Sequence, residues 1–213
     1  MADINPGKIA IFYVSFLLAL CFHEFAHGFI AKKRGDNTAE IMGRLTMNPM
    51  AHLDWLGTVI LPIVGFISAL PVFGWAKPVP VNPRNLKDPK NDMFWVAIAG
   101  PASNFLLAIV GTIAWGVLAR GDLGLAMTPF LREFLGIFIL FNLFLAVFNL
   151  IPIHPLDGGK VMARFLPAEA NRFLEDNQMI LSVALLLIIV TGGIQFLVYP
   201  VYAIMGLLEY IFV

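Results

Sequence analysis

Residues 9–31 read IAIFYVSFLLALCFHEFAHGFIA, an apolar run that is interrupted near its end by two histidines and a glutamate. A helix needs about 20 apolar residues to cross a bilayer, so this run is long enough to span one. Lys32, Lys33 and Arg34 follow directly and close the run. The run therefore predicts a membrane-spanning helix that carries ionisable side chains.

The composition of the whole chain is that of a membrane protein. Hydrophobic residues make up 59% of the chain and charged residues only 13%, and the mean hydropathy is +0.83. A soluble domain carries about 25% charged residues, so the bilayer is the expected solvent. The formal net charge is zero, which does not favour nucleic-acid binding, and the single cysteine, Cys21, excludes an internal disulfide. We expect one integral-membrane domain over residues 1–213.

Further apolar segments predict an all-α, polytopic transmembrane helix bundle. Residues 94–119 and 134–153 are clear spans. Residues 179–213 are too long for one straight crossing, and Gly192-Gly193 and Pro200 are the predicted breaks, which leaves one or two spans open. We expect about five to six hydrophobic segments in all, with a three-helix core.

The distribution of basic residues predicts an orientation. If the ends after residue 31, before residue 94 and after residue 153 face the cytoplasm, every Lys and Arg except Lys8, Arg120 and Arg132 lies on that side. We therefore expect a multi-pass protein of the plasma or inner membrane. In this orientation the Pro- and Gly-containing segment 56–75 begins and ends on one side, which predicts a re-entrant segment.

The polar stretch after the first helix carries weaker signals. Residues 41–47 alternate between apolar and polar side chains, which weakly predicts a strand. Residues 76–92 contain four prolines and are expected to be extended or looped.

The sequence HEFAH, residues 23–27, carries the chemistry. Residues four apart lie on one face of a helix, so His23 and His27 could share one metal ion. Glu24 could then act on a metal-bound water as a general base. Ionisable side chains within a spanning segment are costly and usually functional, and three occur here within five residues. At about 1.5 Å per residue, the site is expected roughly 7 to 14 Å inside the cytoplasmic boundary.

A third metal ligand is needed, because catalytic zinc usually has three protein ligands and an open position. Asp157 follows the third span and falls on the same side as the histidines in the predicted orientation. The alternative for Asp157 is a helix N-cap next to Gly158.

Three motifs in order resemble those of the site-2 protease family of intramembrane zinc metalloproteases. They are HEFAH at residues 23–27, AGPASN at 99–104 and NLIPIHPLDG at 149–158. The resemblance covers roughly residues 9–170 and is closest to the short branch without an inserted PDZ or CBS domain. The extra stretch 43–83 resembles either the strand-like re-entrant element of that family, which would offer an edge to an unfolded substrate, or an ordinary loop with a hairpin.

The resemblance implies both ligands and activity. It implies that His23, His27 and Asp157 bind one Zn²⁺ per chain and that Glu24 is the catalytic base. It further implies regulated intramembrane proteolysis, in which a membrane-spanning protein substrate is cut near the cytoplasmic side of the bilayer. The alternatives are another membrane zinc hydrolase, a metal-handling membrane protein, or a catalytically inactive relative of the same fold.

Three further polar residues have open roles. Asn149 and Asn104 are candidate oxyanion stabilisers, since a neutral amide can donate to a developing negative charge, but either could instead bridge helices. His154 could contact a metal ligand without binding the metal, act as a fourth ligand or be an interfacial histidine.

Overall fold

The computed structural model describes residues 6–68, 74–121, 127–193 and 195–213. Four helices in this part of the chain are long and apolar enough to cross a membrane. They are α1 (Pro6–Lys33), the later helices α5 (Pro89–Arg120) and α6 (Pro129–Asn149), and the last helix α10 (Gln195–Phe212). The predicted all-α polytopic fold is confirmed.

The three-helix core is formed by α1, α5 and α6, which pack against one another. Helices α1 and α6 run in one direction and α5 in the other, so that the end of α1 lies beside the start of α5. The guanidinium of Arg34 lies 3.2 Å from a carboxylate oxygen of Asp92 at this junction. We call the end of the bundle where α1 ends and α5 begins the basic end, because Lys32 and Lys33 close α1 there.

Helix α10 packs on α5 and α6 and completes the apolar core on their far side. Ala108 of α5, Ile139 and Leu143 of α6 and Val201 of α10 meet there and are almost fully buried. Each buried Leu or Ile side chain contributes dispersion contacts, which drive helix association where lipid is the solvent.

Short elements fill the connection between α1 and α5. In chain order they are α2 (Thr38–Ile41), α3 (Pro49–His52), a π-helical turn (Trp55–Ile60), α4 (Leu61–Ser68) and a 3₁₀ turn (Pro83–Asn85). The strand predicted over residues 41–47 is wrong. Helix α2 ends there instead, and Gly43 takes the left-handed φ of 65°, which turns the chain.

The segment 56–75 returns to its starting point. The hydroxyl of Thr58 donates to the carbonyl of Trp75 at 2.8 Å, and the Trp75 N–H donates to the carbonyl of Gly57 at 3.3 Å. The Trp75 ring lies where a side chain at residue 57 would stand, so only glycine fits there. The two ends of the segment thus lie together, as a re-entrant segment requires, and residues 69–73 lie outside the described residues.

The segment after α6 forms α7 (Asp157–Ala163), α8 (Ala168–Asp176) and α9 (Gln178–Ile188), and α9 continues into a π-helical turn (Ile189–Gly193). The predicted break at Gly192 is confirmed, because its φ of 97° interrupts the helix. Pro200 was predicted as a second break and this is wrong, since it lies inside α10. Membrane helices tolerate proline where neighbouring groups satisfy the backbone.

Candidate metal centre

Helix α1 presents both histidines of the HEFAH sequence to the interior of the bundle. Because His23 and His27 are four residues apart, they lie one above the other on the face that packs against α5. Their Nε2 atoms are 3.0 Å apart, and the two residues are 5% and 9% exposed. Two nitrogens thus point at one spot within the membrane-spanning part of α1.

Asp157 is brought to the same spot from 130 residues further along the chain. It is the first residue of α7, and its Oδ2 lies 3.1 Å from Nε2 of both histidines. The turn before it is tight, since a Cβ at Gly158 would lie 2.3 Å from the carbonyl oxygen of Ile151. Glycine after Asp157 therefore lets α7 fold back closely enough for the carboxylate to reach the histidines.

The Nδ1 atom of each imidazole faces a hydrogen-bond acceptor. His23 Nδ1 lies 2.6 Å from Oδ1 of Asn104, and His27 Nδ1 lies 2.7 Å from the carbonyl oxygen of Val96. Both Nδ1 atoms must therefore carry the proton, which leaves the two Nε2 atoms as acceptors in the neutral rings. Such second partners are what orients the ring of a metal-ligating histidine.

Three acceptor atoms within 3.1 Å of one another repel unless a cation lies between them. The observed separations of 3.0 to 3.1 Å are close to the roughly 3.3 Å between ligand atoms around tetrahedral zinc. Two imidazole nitrogens and one carboxylate oxygen are also a ligand set that zinc accepts. The residues His23, His27 and Asp157 therefore fit a zinc ion.

Asn104 connects the histidine to all three core helices. Its Nδ2 donates to the carbonyl of Ala19 in α1 at 2.9 Å and to Oδ1 of Asn142 in α6 at 2.8 Å. With both amide hydrogens used in this way, Asn104 accepts from His23 and positions that ring. The arrangement leaves no hydrogen of Asn104 for an oxyanion.

Asn142 was not recognised in the sequence. It is fully buried in α6, and its own Nδ2 donates to the carbonyl of Phe138 at 2.8 Å. A lone amide in an otherwise apolar span is a signal that could have revealed it, because a polar group in a bilayer needs a partner.

Gly100 lets α5 approach the metal-binding face of α1. A Cβ at residue 100 would lie 2.4 Å from Nε2 of His27 and 2.7 Å from Cε1 of His23. Any side chain would therefore occupy the space of the imidazoles, which gives the AGPASN motif a physical role.

The carboxylate of Glu24 contacts a segment that we call the strap, residues 75–82. The N–H of Val79 donates to Oε2 of Glu24 at 2.7 Å. Val79 is 7% exposed, and its side chain lies over Gly28 of α1. The strap thus covers one carboxylate oxygen of Glu24.

The strap is held at both ends by hydrogen bonds. Arg44 donates to the carbonyl oxygens of Lys77 and Pro78 at 2.7 and 3.2 Å, and the Lys77 N–H donates to the carbonyl of His52 at 2.9 Å. At the other end the Asn82 N–H donates to the buried Asp36 at 2.7 Å. These contacts fix the strap against α1 and the elements that follow it.

The two remaining candidates lie outside the ligand cluster. The amide of Asn149 donates to the carbonyl of Leu145, one turn earlier in α6, at 3.0 Å. His154 is buried, and its Nε2 has no hydrogen-bond partner among the described residues. On the other side of Asp157, the ammonium of Lys160 lies 3.3 Å from Oδ1.

The fold and the site together define a polytopic membrane protein with a candidate metal centre inside a three-helix core. The family model of peptidase family M50 matches residues 11–120 and 116–191. The chain belongs to this family, the site-2 protease family that its three motifs resemble.

Curated relatives agree with this assignment. The chain is 35% identical over 189 residues to the "Putative zinc metalloprotease YwhC" of Bacillus subtilis, which covers 88% of this chain and 83% of that protein. It is 30% identical to the "Putative zinc metalloprotease Rip2" of Mycolicibacterium smegmatis, over 79% of this chain and 62% of the relative. It is 27% identical to the "Zinc metalloprotease MJ0392" of Methanocaldococcus jannaschii, over 74% of this chain and 34% of the relative. No solved structure matches the chain significantly.

Proposed function

We propose that this protein is an intramembrane zinc metalloprotease that hydrolyses peptide bonds of membrane-spanning protein substrates. The observation that carries the proposal is the convergence of His23 Nε2, His27 Nε2 and Asp157 Oδ2 at one point, with Glu24 adjacent in sequence to one ligand. Membership of a peptidase family supports hydrolysis as the reaction.

The proposed roles divide between ligands and base. His23, His27 and Asp157 would hold one zinc ion per chain. When bound, zinc would polarise the scissile carbonyl and lower the pKa of a water molecule. Glu24 takes the proton of the attacking water as the new C–O bond forms, and later returns it to the leaving amine as the peptide C–N bond breaks.

The chain's own groups prepare Glu24 for this task. The Val79 N–H holds Oε2, which leaves Oε1 to accept the proton of water. The two histidines are fixed by Asn104 and Val96, so that the ligands need little rearrangement. Asn149 remains a proposed oxyanion stabiliser, for which its second amide hydrogen would serve.

The substrate class follows from where the site lies. His23 and His27 are in the C-terminal half of a helix that is long enough to span a membrane. A substrate helix would have to enter from the side and unwind locally, because a helical amide is shielded by its own hydrogen bonds. The basic end of the bundle would face the cytoplasm by the positive-inside rule, and the chain would lie in the plasma or inner membrane. One product would then be released to the cytoplasm, as in regulated intramembrane proteolysis.

The test is metal content and cleavage measured together on the wild type and on Glu24→Gln. We expect one zinc per chain in both proteins and cleavage of a membrane-embedded test substrate in the wild type alone. The glutamine keeps the size of Glu24 but cannot accept the proton.

Two results would contradict the proposal. Absence of zinc from both proteins would remove the metal centre. Zinc in both without cleavage by either, over a panel of membrane-spanning substrates, would favour an inactive or metal-handling member of the same fold.

A further inference from the structure

A cavity at the basic end of the bundle does not include the proposed metal-site residues His23, Glu24, His27 or Asp157. Its volume is about 520 Å³. It is bounded by the first turn of α5, by α7 and by α8, with Met93 and Leu166 among its apolar lining. The cavity is large enough to hold a phosphate together with part of the group that carries it.

The charged lining of this cavity is mostly basic. Lys90 of α5 and Lys160 and Arg164 of α7 line it, against one acid, Glu175 of α8. Within the described residues Lys90 and Arg164 form no ion pair, and Lys160 is bonded only to Asp157.

Arg164 is held in place by an aromatic ring. Its guanidinium lies 4.8 Å from the centroid of Phe94, a contact that fixes the plane of the group and leaves its N–H edges for a ligand. The carboxylate of Asp88 is near enough to feel its charge, but that carboxylate already accepts from Asn91.

His154 adds an unsatisfied polar atom to the wall. The residue is 6% exposed and lines the cavity, and its Nε2 has no hydrogen-bond partner among the described residues. Leaving a buried polar atom unpaired is unfavourable, so a partner is expected. A ligand oxygen in the cavity would provide one.

The surroundings of the cavity indicate a lipid rather than a soluble ligand. Helix α8 is bent by 66° from the run Gln178–Gly193, which is α9 with its π-helical extension, and the two parts taken together are long and apolar enough for one membrane span. If α9 enters the bilayer, α8 lies along its surface. Three large apolar residues flank the cavity region and are exposed by 68, 66 and 77% of their area: Phe165, Phe173 and Met179. The basic cavity then lies at the depth of the lipid headgroups.

We propose that this cavity binds the phosphate group of an anionic phospholipid. A phosphate offers several acceptor oxygens to Lys90, Lys160 and Arg164 at once, and basic pockets between membrane helices suit such headgroups. The Phe165 and Phe173 side chains would contact the acyl chains. The proposal does not depend on proteolysis, since it concerns lipid binding alone.

The experiment is native mass spectrometry of the zinc-loaded protein. Phosphatidylglycerol or phosphatidylcholine is added to the protein in detergent, and the detergent is then removed in the spectrometer. The double variant Lys90→Gln/Arg164→Gln removes two cavity charges and spares Lys160, which contacts Asp157. Arg84→Gln/Lys87→Gln is the matched control, because both residues are exposed, lie near the same end and are not part of the cavity lining. We expect the wild type and the control to retain one phosphatidylglycerol, with phosphatidylcholine held more weakly. The cavity variant should bind phosphatidylglycerol about tenfold more weakly or worse.

Folding is checked separately by zinc content and by Arg164→Lys, which should keep most of the binding. Equal lipid binding by the cavity variant and the wild type would overturn the proposal, as would an equal loss in the control. Inorganic phosphate is the third arm. If it displaces phosphatidylglycerol at millimolar concentration, or protects the protein from thermal unfolding as well as the lipid does, the site is one for a soluble phosphate and the lipid assignment is wrong.

Discussion

The backbone N–H of Val79 donates a 2.7 Å hydrogen bond to Oε2 of Glu24, across 55 residues of sequence. The contact is between the strap and the one acidic residue of the HEFAH sequence. It restricts the rotation of the carboxylate and assigns different surroundings to its two oxygens. The proposed general base is therefore positioned by main chain rather than by another side chain.

Replacing Val79 by proline removes this single donor while the strap stays extended. We expect kcat to fall about tenfold or more relative to Val79→Ala, since hydrogen bonds to charged groups contribute about 1.5–3 kcal/mol. The alanine control keeps the N–H and loses part of the side chain. Zinc content and KM should be alike in the two variants, and an equal kcat in both would show that the hydrogen bond has no role in the reaction.

Asn104→Ala removes the acceptor of His23 Nδ1. We expect zinc affinity to fall about 10- to 100-fold, as is usual when the partner of a metal-binding imidazole is lost. The measurement is zinc competition with a chelator of known affinity, and thermal unfolding reports separately on the fold. Asn149→Ala is the control, because Asn149 has no hydrogen bond to the ligand cluster in the described part of the chain. Its zinc affinity should stay unchanged, whereas a selective loss of kcat would support the oxyanion role proposed for it.

Gly100→Ala places a methyl group 2.4 Å from Nε2 of His27. Because backbone and imidazoles on both sides are fixed, we expect α5 and α1 to move apart and zinc binding to be lost. Gly206→Ala in α10 makes the same change in a helix where a Cβ meets no atom within 4 Å. That control should keep its zinc and its stability or gain slightly in stability. Full zinc binding by Gly100→Ala would show that the two helices do not pack as closely as the structure has them.

Asp36 makes the attachment of the strap dependent on pH. Burial alone would raise the pKa of its carboxyl, but hydrogen bonds from Thr38, Asn85 and the Asn82 N–H outweigh that effect and hold the pKa below its ordinary 3.8. A lowered folded-state pKa stabilises the protein above the unfolded-state pKa, and this stability is lost as the pH falls through the folded-state value.

The measurement is the thermal unfolding midpoint of the wild type and of Asp36→Asn between pH 7 and pH 3. We expect the variant to be less stable at pH 7 and the difference to shrink below about pH 4. Glu40→Gln is the control, since Glu40 is exposed and pairs only with Lys32 at the surface. A difference for Asp36→Asn that does not change with pH would mean that its ionisation is not linked to folding.

The boundaries of the third core helix show how far local sequence signals reach. Residues 134–153 were predicted and Pro129–Asn149 was found. Thr128, whose side chain caps the helix, and Pro129 in the first turn mark the start. The prediction placed the start at residue 134, because it followed the apolar run alone. The end could not be placed from apolar character, because residues 150–153 are apolar and yet belong to the turns that bring Asp157 back to α1.

The candidate site was predictable in its ligands but not in its supports. His23, Glu24 and His27 follow from one helical turn of sequence. For Asp157 the local sequence left a helix N-cap open, and the resemblance to the family favoured a metal ligand. The partner of each imidazole could not be predicted. Asn104 was considered for an oxyanion role, and Val96 contributes only a carbonyl oxygen, which every residue carries.

The sequence alone determined that this chain crosses a membrane and that two histidines and a glutamate share one helical turn, because length, hydropathy and helical spacing are local properties. Only the tertiary structure decided that Asn104 holds His23, that the strap covers Glu24 and that Lys90 and Arg164 face one cavity. These contacts join residues far apart in the chain. The contact between Asn104 and His23 depends on how closely α1 and α5 approach, and that distance is set by packing at Gly100 rather than by any pattern along the sequence.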